Sequence, residues 1–300
     1  ETDNRGEMVA ETLAWIPQEM QGQWRRQWLN AFEKGTRQLV PAMVDVNNPG
    51  LSGGVQNQPD FQAGVADHGT HFVNQVPRFV RQAMDEYGAL TGRWYDPVHG
   101  FMADDADHVI VALGSITDDA EAVVTHLRAQ GKKVGVISIK LLQPFPEAEL
   151  IAALQGKKAV TVLERSEVTA LTNLVTKALF KAAENASIIR HQDIPPMTTL
   201  PKLSTGVFGI GAHDLQPRQL VAAYRNMESS LNVPFFYLGS QFFDKDPSPE
   251  NAALQQRLRQ AYPETEFMAF DTKENPSLLP EGAFRIRFHS IGGYGTIATG

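Results

Sequence analysis

The sequence contains no cysteine among its 300 residues. This absence excludes disulfide bonds, thiolate zinc sites and cysteine-ligated iron–sulfur clusters within these residues. It is typical of a reducing compartment, so we expect a cytoplasmic protein. Any iron–sulfur cluster that serves the protein must be held by cysteines outside this sequence.

Long apolar runs and an excess of basic residues are also missing. No apolar stretch approaches the ~18 residues that a membrane-spanning helix requires, and the first residues, ETDNRGEMVA, lack the basic-then-apolar order of a signal peptide. The 27 lysines and arginines are scattered along the chain, and the formal net charge is -7. We therefore expect neither a membrane protein nor a nucleic-acid-binding protein.

Short apolar runs and helical patterns alternate from residue 108 onward. The runs HVIVALGS, KVGVISIK and AVTVLERS are continuous and rich in β-branched residues, and helical segments such as DDAEAVVTHLRAQG and PEAELIAALQG separate them. Continuous apolar strands are typical of sheets covered on both faces, and helical connections favour parallel pairing. The pattern predicts an α/β fold: an open, mostly parallel sheet with flanking helices, followed by a truncated second α/β region.

The same pass along the chain predicts five regions. A helical upstream segment, 1–46, precedes a connection and helix, 47–104, in which NNPGLSGGVQNQPDF reads as irregular and TGRWYDPVHGFMADDAD as a loop. The α/β domain at 105–228 contains a possible strand at SIIRH and a long loop, IPPMTTLPKLSTGVFGIGAHDLQP. An α/β linker region, 229–283, leads to the truncated start of a further domain, 284–300.

Two strand-to-helix turns could bind a ligand. In ALGSITDDAEA, Asp118 and Asp119 would stabilise the helix dipole themselves and repel a phosphate, and Asp118 with Glu121 forms a plausible capping pair, so this turn is predicted to be structural. The terminal turn SIGGYGTIATG has no acid. Glycine-rich turns that open a helix bind anions through backbone N–H groups. The candidate anion-binding residues are Gly292, Gly293, Gly295 and Thr296. A purely structural role for this turn is the alternative.

Other polar clusters are predicted to be polar surface. His68 and His71 lie three residues apart, and ADDADH brings three aspartates next to His108, but neither group has a convergent third ligand of the kind a metal needs. The segment FRIRFH, 284–289, alternates apolar and basic residues, as in an edge strand with one solvated face or a wall that binds an anion. No catalytic residue and no metal ligand is predicted.

Several stretches together resemble a known family. The run DADHVIVALGSITDDAEAVVTHLRAQGKKVGVISIKLLQPFPEAEL, followed by KKAVTVLERSE, resembles the second domain of the pyruvate:ferredoxin (flavodoxin) oxidoreductases, the 2-oxoacid:acceptor oxidoreductases, and that domain is similar to the transketolase C-terminal domain. The likeness extends upstream through QNQPDFQAG, VPRFVRQAM and LTGRWYDPVHGF. Downstream it runs through GVFGIGAHDLQPRQLVAAYRNM to the terminal turn, which looks like the opening of the family's next, gamma-type domain.

The resemblance implies that the chain is a middle piece of a longer enzyme. Such enzymes use thiamine diphosphate and magnesium to decarboxylate a 2-oxoacid, pass electrons through iron–sulfur clusters to ferredoxin or flavodoxin, and release an acyl-coenzyme A. In the family the thiamine and cluster sites belong to other domains, so this piece is expected to be structural or docking, inactive alone, and part of a homo-oligomer when full-length. The expected partners are the remaining domains, and coenzyme A is the ligand that the terminal turn could approach.

Three departures from the family pattern affect the choice of substrate. Gln143 replaces the arginine that usually precedes a Pro-Phe pair, SEVTALTNL replaces a glycine-rich stretch, and Gly293-Tyr294 replaces Ser-Asp. We therefore expect the substrate to be a 2-oxoacid and do not assign it as pyruvate. Two alternatives remain from the residues alone: a truncated NAD(P)-dependent dehydrogenase, and a non-catalytic α/β interaction module.

Overall fold

The computed structural model describes residues 57–278 and Gly282. The chain divides into two compact units after Gly69. Within the first unit, helix α1 spans Gln58–Asp67, and its N-cap, Asn57, accepts a hydrogen bond through Oδ1 from the Asp60 N–H at 3.3 Å. This helix begins inside the stretch that the sequence analysis read as irregular. A π-helical turn, His68–Phe72, and a 3₁₀ turn, Val73–Gln75, follow it.

The second unit contains one seven-stranded sheet and six α-helices within the described residues. The strands are β1 Val98–Phe101, β2 His108–Leu113, β3 Val134–Ile139, β4 Ala159–Glu164, β5 Lys202–Val207, β6 Phe235–Leu238 and β7 Ala269–Phe270. The helices are α2 Val76–Thr91, α3 Ile116–Ala129, α4 Glu147–Leu154, α5 Ala170–Asn185, α6 Pro217–Glu228 and α7 Pro249–Ala261. Short 3₁₀ turns occur at Ile210–Ala212 and Pro263–Phe267.

The strand order is β1-β3-β2-β4-β5-β6-β7, and every pairing is parallel except that of β1 with β3. The predicted open, mostly parallel sheet with flanking helices is therefore confirmed. The chain leaves β2 toward β3 on one side and later returns to place β4 on the other side. This reversal makes the gap between β2 and β4 the switch point of the sheet, where α/β proteins commonly bind ligands.

Two apolar layers cover the sheet. Alternate residues of β2 enter different layers: Ile110 packs with α3 and α6 on one face, and Val109 packs with α4 and α5 on the other. Both side chains are completely buried. A strand with both faces buried needs apolar residues at every position, which explains the continuous runs in the sequence.

The structure differs from three secondary-structure predictions in this unit. KLSTGV forms the interior strand β5 where a loop was predicted, and β1 also lies in a predicted loop. Strand β5 was missed because its sequence is partly polar. Ser204 is nevertheless buried, since its hydroxyl forms a hydrogen bond of 2.8 Å with the Thr161 hydroxyl of β4. The possible strand SIIRH is wrong, because Ile188 and Ile189 are 65% and 79% exposed and pair with no strand.

Residues 229–278, assigned above to a separate linker region, contribute β6 and β7 to this same sheet. The segment after β7 returns across two helices of one face. There the Glu274 carboxylate accepts hydrogen bonds from Gln130, the residue after α3, and from Arg225 of α6, and its Oε1 lies 2.9 Å from His126 Nε2. Residues 1–56 and 283–300, which include the predicted helical segment, the FRIRFH strand and the terminal turn, lie outside the described residues.

The amino ends of the strands are held by charged side chains. Arg128, the second-to-last residue of α3, donates to both carboxylate oxygens of Asp105 at 2.7 and 2.8 Å, to Met102 O at 2.6 Å and to Val134 O at 2.7 Å. Lys158 bonds the Asp107 carboxylate at 3.0 Å. Two of the clustered aspartates in ADDADH are thus ion-pair partners that fix the β1–β2 connection.

We expect the stability of this unit to fall as the pH is lowered from 7.5. Burial lowers the pKa of His108 in the folded protein below its ordinary value of 6.5. As the pH falls, His108 is therefore protonated in the unfolded chain before it is protonated in the folded one. The free energy of unfolding decreases until the pH has passed the folded pKa. Hydrogen bonds from Arg128 and Lys158 lower the pKa values of Asp105 and Asp107 below 3.8, which adds a second loss at more acidic pH.

Urea unfolding midpoints at pH 7.5, 6.0 and 3.0 measure this dependence. The control is His108→Gln, which cannot titrate and should therefore show a smaller drop between pH 7.5 and 6.0 than the unchanged protein. Equal midpoints for the unchanged protein at pH 7.5 and 6.0 would contradict the role assigned to His108.

Candidate functional site

A crevice lies where β2, β4 and β5 end. Its volume is about 220 Å³, and it is lined by the turn after β2, by Arg165 after β4, and by the loop after β5. This is the switch point of the sheet, so the topology alone identifies the crevice as the candidate site. Its polar lining residues are Ser115, Asp119, Arg165, His213 and Asp214.

The turn after β2 is shaped by a buried hydroxyl. Gly114 adopts φ +73°, and the Thr117 hydroxyl donates to Gly114 O at 2.8 Å. Helix α3 begins at Ile116, and the Asp118 N–H donates to Ser115 O at 3.1 Å. The predicted capping pair of Asp118 with Glu121 is wrong, because Asp118 already lies in the first helical turn and not at the N-cap.

The turn after β4 uses a buried carboxylate. Glu164 is the last residue of the strand, and its Oε1 accepts a hydrogen bond from the Thr172 N–H at 2.6 Å. The Thr172 hydroxyl lies 3.2 Å from the Thr205 hydroxyl of β5. Glu164 therefore places a negative charge against the first turn of α5, where a bound anion would otherwise be stabilised.

The loop after β5 is built around left-handed residues. Gly209 and Gly211 have φ +66° and +63°, and Ala212 also has a positive φ, +59°. The Arg165 side chain packs against Gly209, because a Cβ added there would lie 3.2 to 3.5 Å from its Cγ, Cδ and Nε atoms. An alanine held at positive φ is a strained conformation of the kind that occurs at functional sites.

Charges of both signs surround the crevice. The Arg165 guanidinium forms no hydrogen bond or ion pair with any other residue in 57–278, so it is available to a carboxylate or phosphate. Asp119 and Asp214 line the same space, and Asp214 accepts a hydrogen bond from Gln216 Nε2 at 2.7 Å. A volume of 220 Å³ is smaller than the ~300 Å³ of typical small-molecule pockets, so the crevice suits one polar group or an inserted side chain and not a dinucleotide.

The residues predicted to bind a ligand, Gly292, Gly293, Gly295 and Thr296, lie outside the described residues. Within 57–278, no three histidine, aspartate or glutamate side chains gather closely enough to hold a metal ion. The sequence analysis missed the crevice because it read the loop after β5 as a simple connection. The glycines of GVFGIGAHD were the available signal.

No helix in the described part of the chain has the length and apolar character needed to cross a membrane. The sheet order and the switch-point crevice define this unit as an open α/β domain of the doubly wound class. The sequence gives a more specific similarity. Residues 106–194 match the family model for pyruvate:ferredoxin oxidoreductase core domain II. The resemblance noted in the sequence is confirmed for them.

Individual relatives extend the similarity. The chain is 31% identical over 194 residues to a pyruvate-flavodoxin oxidoreductase from Klebsiella pneumoniae. The match covers 64% of this chain and 16% of that protein. It is 30% identical over 154 residues to pyruvate synthase subunit PorA from Thermotoga maritima, covering 51% and 36%. It is 24% identical over 255 residues to a pyruvate:ferredoxin oxidoreductase from Moorella thermoacetica, covering 85% and 19%. The chain thus spans between about a sixth and a third of these relatives' lengths.

Among solved structures, one that the chain is similar to is a 2-oxoglutarate:ferredoxin oxidoreductase from Magnetococcus marinus with 2-oxoglutarate, coenzyme A and succinyl-CoA bound. The TM-score is 0.37 at 19% identity, and the match covers 60% of this chain and 25% of that one. The fold class assigned here therefore rests on the strand order and pairing of the sheet itself.

Proposed function

We propose that this chain is part of a thiamine diphosphate-dependent 2-oxoacid:acceptor oxidoreductase. Such an enzyme oxidatively decarboxylates a 2-oxoacid such as pyruvate, releases an acyl-coenzyme A and passes electrons to ferredoxin or flavodoxin. The observation that carries this proposal is the match of residues 106–194 to core domain II of that family. Similarity over 255 residues to one relative supports it, because the likeness continues on both sides of the domain.

Within that enzyme, the described domain has a structural and docking role. The sequence has no cysteine for a cluster, and residues 57–278 offer no group of three carboxylate or imidazole side chains for magnesium. We therefore assign thiamine diphosphate, magnesium and the iron–sulfur clusters to parts of the enzyme outside these residues. The crevice supports docking, because its unpaired Arg165 could receive an acidic side chain from a neighbouring domain.

The test is an activity measurement on the natural polypeptide that contains this sequence. We expect coenzyme A-dependent reduction of methyl viologen by a 2-oxoacid, with pyruvate, 2-oxobutyrate and 2-oxoglutarate compared as substrates. We also expect the absorbance of iron–sulfur clusters near 400 nm. The 300 residues expressed alone serve as the control and should show neither property. Turnover by those 300 residues alone would contradict a docking role.

Two other outcomes would replace the proposal. Substrate-dependent reduction of NAD without coenzyme A would indicate the truncated dehydrogenase. A natural polypeptide with neither activity nor cluster absorbance would favour the non-catalytic interaction module. Because the three readings predict different electron acceptors or none, one set of assays separates them.

For the terminal turn, we propose that the backbone N–H groups at Gly292, Gly293 and Gly295, with the Thr296 hydroxyl, bind a phosphate of coenzyme A. The support is the sequence pattern, in which glycines and a hydroxyl follow a strand and no acid intervenes. Calorimetric titration of the natural polypeptide with coenzyme A and NAD tests it. Gly295→Asp should abolish coenzyme A binding. Undiminished binding in that variant would leave the turn purely structural, and tight NAD binding would favour the dehydrogenase.

A further inference from the structure

A second cavity lies at the opposite edge of the sheet, where β4 and β5 begin. Its volume is about 560 Å³, within the ~300 to 1,000 Å³ range of small-molecule pockets. It is lined by Lys157, Lys158 and Lys202 together with the threonines Thr198 and Thr199. No aspartate or glutamate lines it. In a chain with a net charge of -7, three lysines around one concave space form a local concentration of positive charge.

The sheet register explains why these lysines meet. Strands β4 and β5 are parallel, and Ala159 pairs with Lys202. Lys157 and Lys158 immediately precede Ala159, so all three lysines lie at the same end of two adjacent strands. Gly156, at φ +72°, turns the chain from α4 into β4 at this point. The positions of the three lysines are therefore set by the pairing of β4 with β5, and the segment before β5 adds Thr198 and Thr199.

Lys157 is the buried member of the group, with only 7% of its surface exposed. Its ammonium donates to two neutral acceptors, Ala103 O and Asp104 O, the second at 3.1 Å. Both acceptors lie outside the cavity lining, so the Lys157 ammonium is directed at the β1–β2 connection and adds positive charge next to the cavity. Burial lowers the pKa of Lys157, and the carboxylates of Asp104, Asp105 and Asp107 compensate only partly from outside the cavity lining. A buried cation that faces neutral carbonyls is stabilised further by an anion nearby.

The other two lysines are accessible. Lys158 is bonded to Asp107 at 3.0 Å, but its side chain remains 68% exposed. The ammonium of Lys202 has no hydrogen bond or ion pair with any residue in the described part of the chain, and the residue is exposed. Lysines that serve only as solvated surface would not need a shared concavity with two hydroxyl side chains.

We propose that this lysine cavity binds a diphosphate group, of the kind that nucleotides and related cofactors carry. The Lys202 ammonium has no partner in the described residues and the Lys158 ammonium is exposed, so both can contact the two to three negative charges of a diphosphate. Lysine is a common ligand of phosphate as a point charge. The two threonine hydroxyls can donate to further phosphate oxygens. The volume also leaves room beyond the diphosphate for an attached organic group. This site is separate from the switch-point crevice and does not depend on the function proposed above.

The test is isothermal titration of the 300-residue chain with pyrophosphate, ADP and inorganic phosphate. Pyrophosphate should bind saturably at one site and more tightly than inorganic phosphate. Lys202→Glu should raise its Kd by tenfold or more, because the variant places a carboxylate where the free ammonium was. Lys177→Glu, the same change on the exposed face of α5 away from the cavity, is the matched control and should leave Kd unchanged.

The organic diphosphate identifies the natural source. Tighter binding of ADP than of pyrophosphate indicates a nucleotide, and equal binding of the two indicates recognition of the diphosphate alone. Each of these results supports the site. Absence of saturable pyrophosphate binding would overturn it, as would equal effects of Lys202→Glu and Lys177→Glu. Both lysines are exposed, so neither variant should prevent folding, and circular dichroism checks this directly.

Discussion

Replacing Gly135 with alanine should destabilise the sheet domain by about 3 kcal/mol, the upper end of the range for overpacking a close-packed interior. Gly135 lies in β3, and a Cβ built there would be 2.6 Å from Met102 O and 2.8 Å from Ala103 Cα. Both are backbone atoms, which cannot rotate away as a side chain would. The bend they belong to is also fixed, because Arg128 holds Met102 O and Lys157 holds Ala103 O.

Urea unfolding followed by circular dichroism measures the change in the free energy of unfolding. Gly64→Ala is the control, since Gly64 lies in helix α1 with no heavy atom within 4 Å of the added Cβ. Alanine is the better helix former, so that variant should be neutral or slightly more stable. Neither glycine has a left-handed backbone, so steric contact is the main difference between the two sites. A loss below 1 kcal/mol for Gly135→Ala would mean that the β1–β2 bend can move.

Elements with strong local patterns were predictable from the sequence. Strands β2, β3 and β4 are continuous apolar runs. Helices α3 and α4 lie within two residues of the helical segments DDAEAVVTHLRAQG and PEAELIAALQG, because their patterns extend over two or more turns. The strands that the sequence analysis did not predict are short or polar. Strand β5 is half polar, and its burial depends on a hydroxyl pair with β4 that no local pattern contains. Strand β1 has four residues and pairs with β3 over a separation that periodicity cannot reveal.

The candidate sites show the same limit. The crevice depends on strand order, because only the placement of β4 beside β2 brings Arg165 next to the turn after β2. The lysine cavity depends on register, since Lys202 joins Lys157 and Lys158 only through the parallel pairing of β4 with β5. The sequence analysis instead selected residues within single turns, where function can be inferred from consecutive residues. Sites built from residues of separate strands can be located only once the fold is known.

Asn185→Ala should also cost about 3 kcal/mol, because one side chain closes the loop after α5. Asn185 is buried, and its amide donates to His191 O at 2.7 Å and Ile194 O at 2.8 Å, while its Oδ1 accepts from the N–H groups of Arg190 and His191 at 2.9 and 3.0 Å. Each partly buried backbone group left without a partner costs ~1 to 3 kcal/mol of stability. The loop can relax in the variant, so the total loss is smaller than the sum of the four individual costs.

The matched control is Asn173→Ala, which makes the same change on an exposed position of the same helix. Alanine has the higher helix propensity, so the control should be neutral or slightly stabilising, and the difference between the two variants isolates the four hydrogen bonds. Hydrogen exchange provides a local readout: the N–H groups of Arg190 and His191 should exchange faster in Asn185→Ala and unchanged in Asn173→Ala. This network also explains why SIIRH is not a strand. Asn185 forms hydrogen bonds with some of the backbone groups that SIIRH would need for strand pairing. The two isoleucines of SIIRH therefore lie on the surface, although isoleucine favours β-sheets.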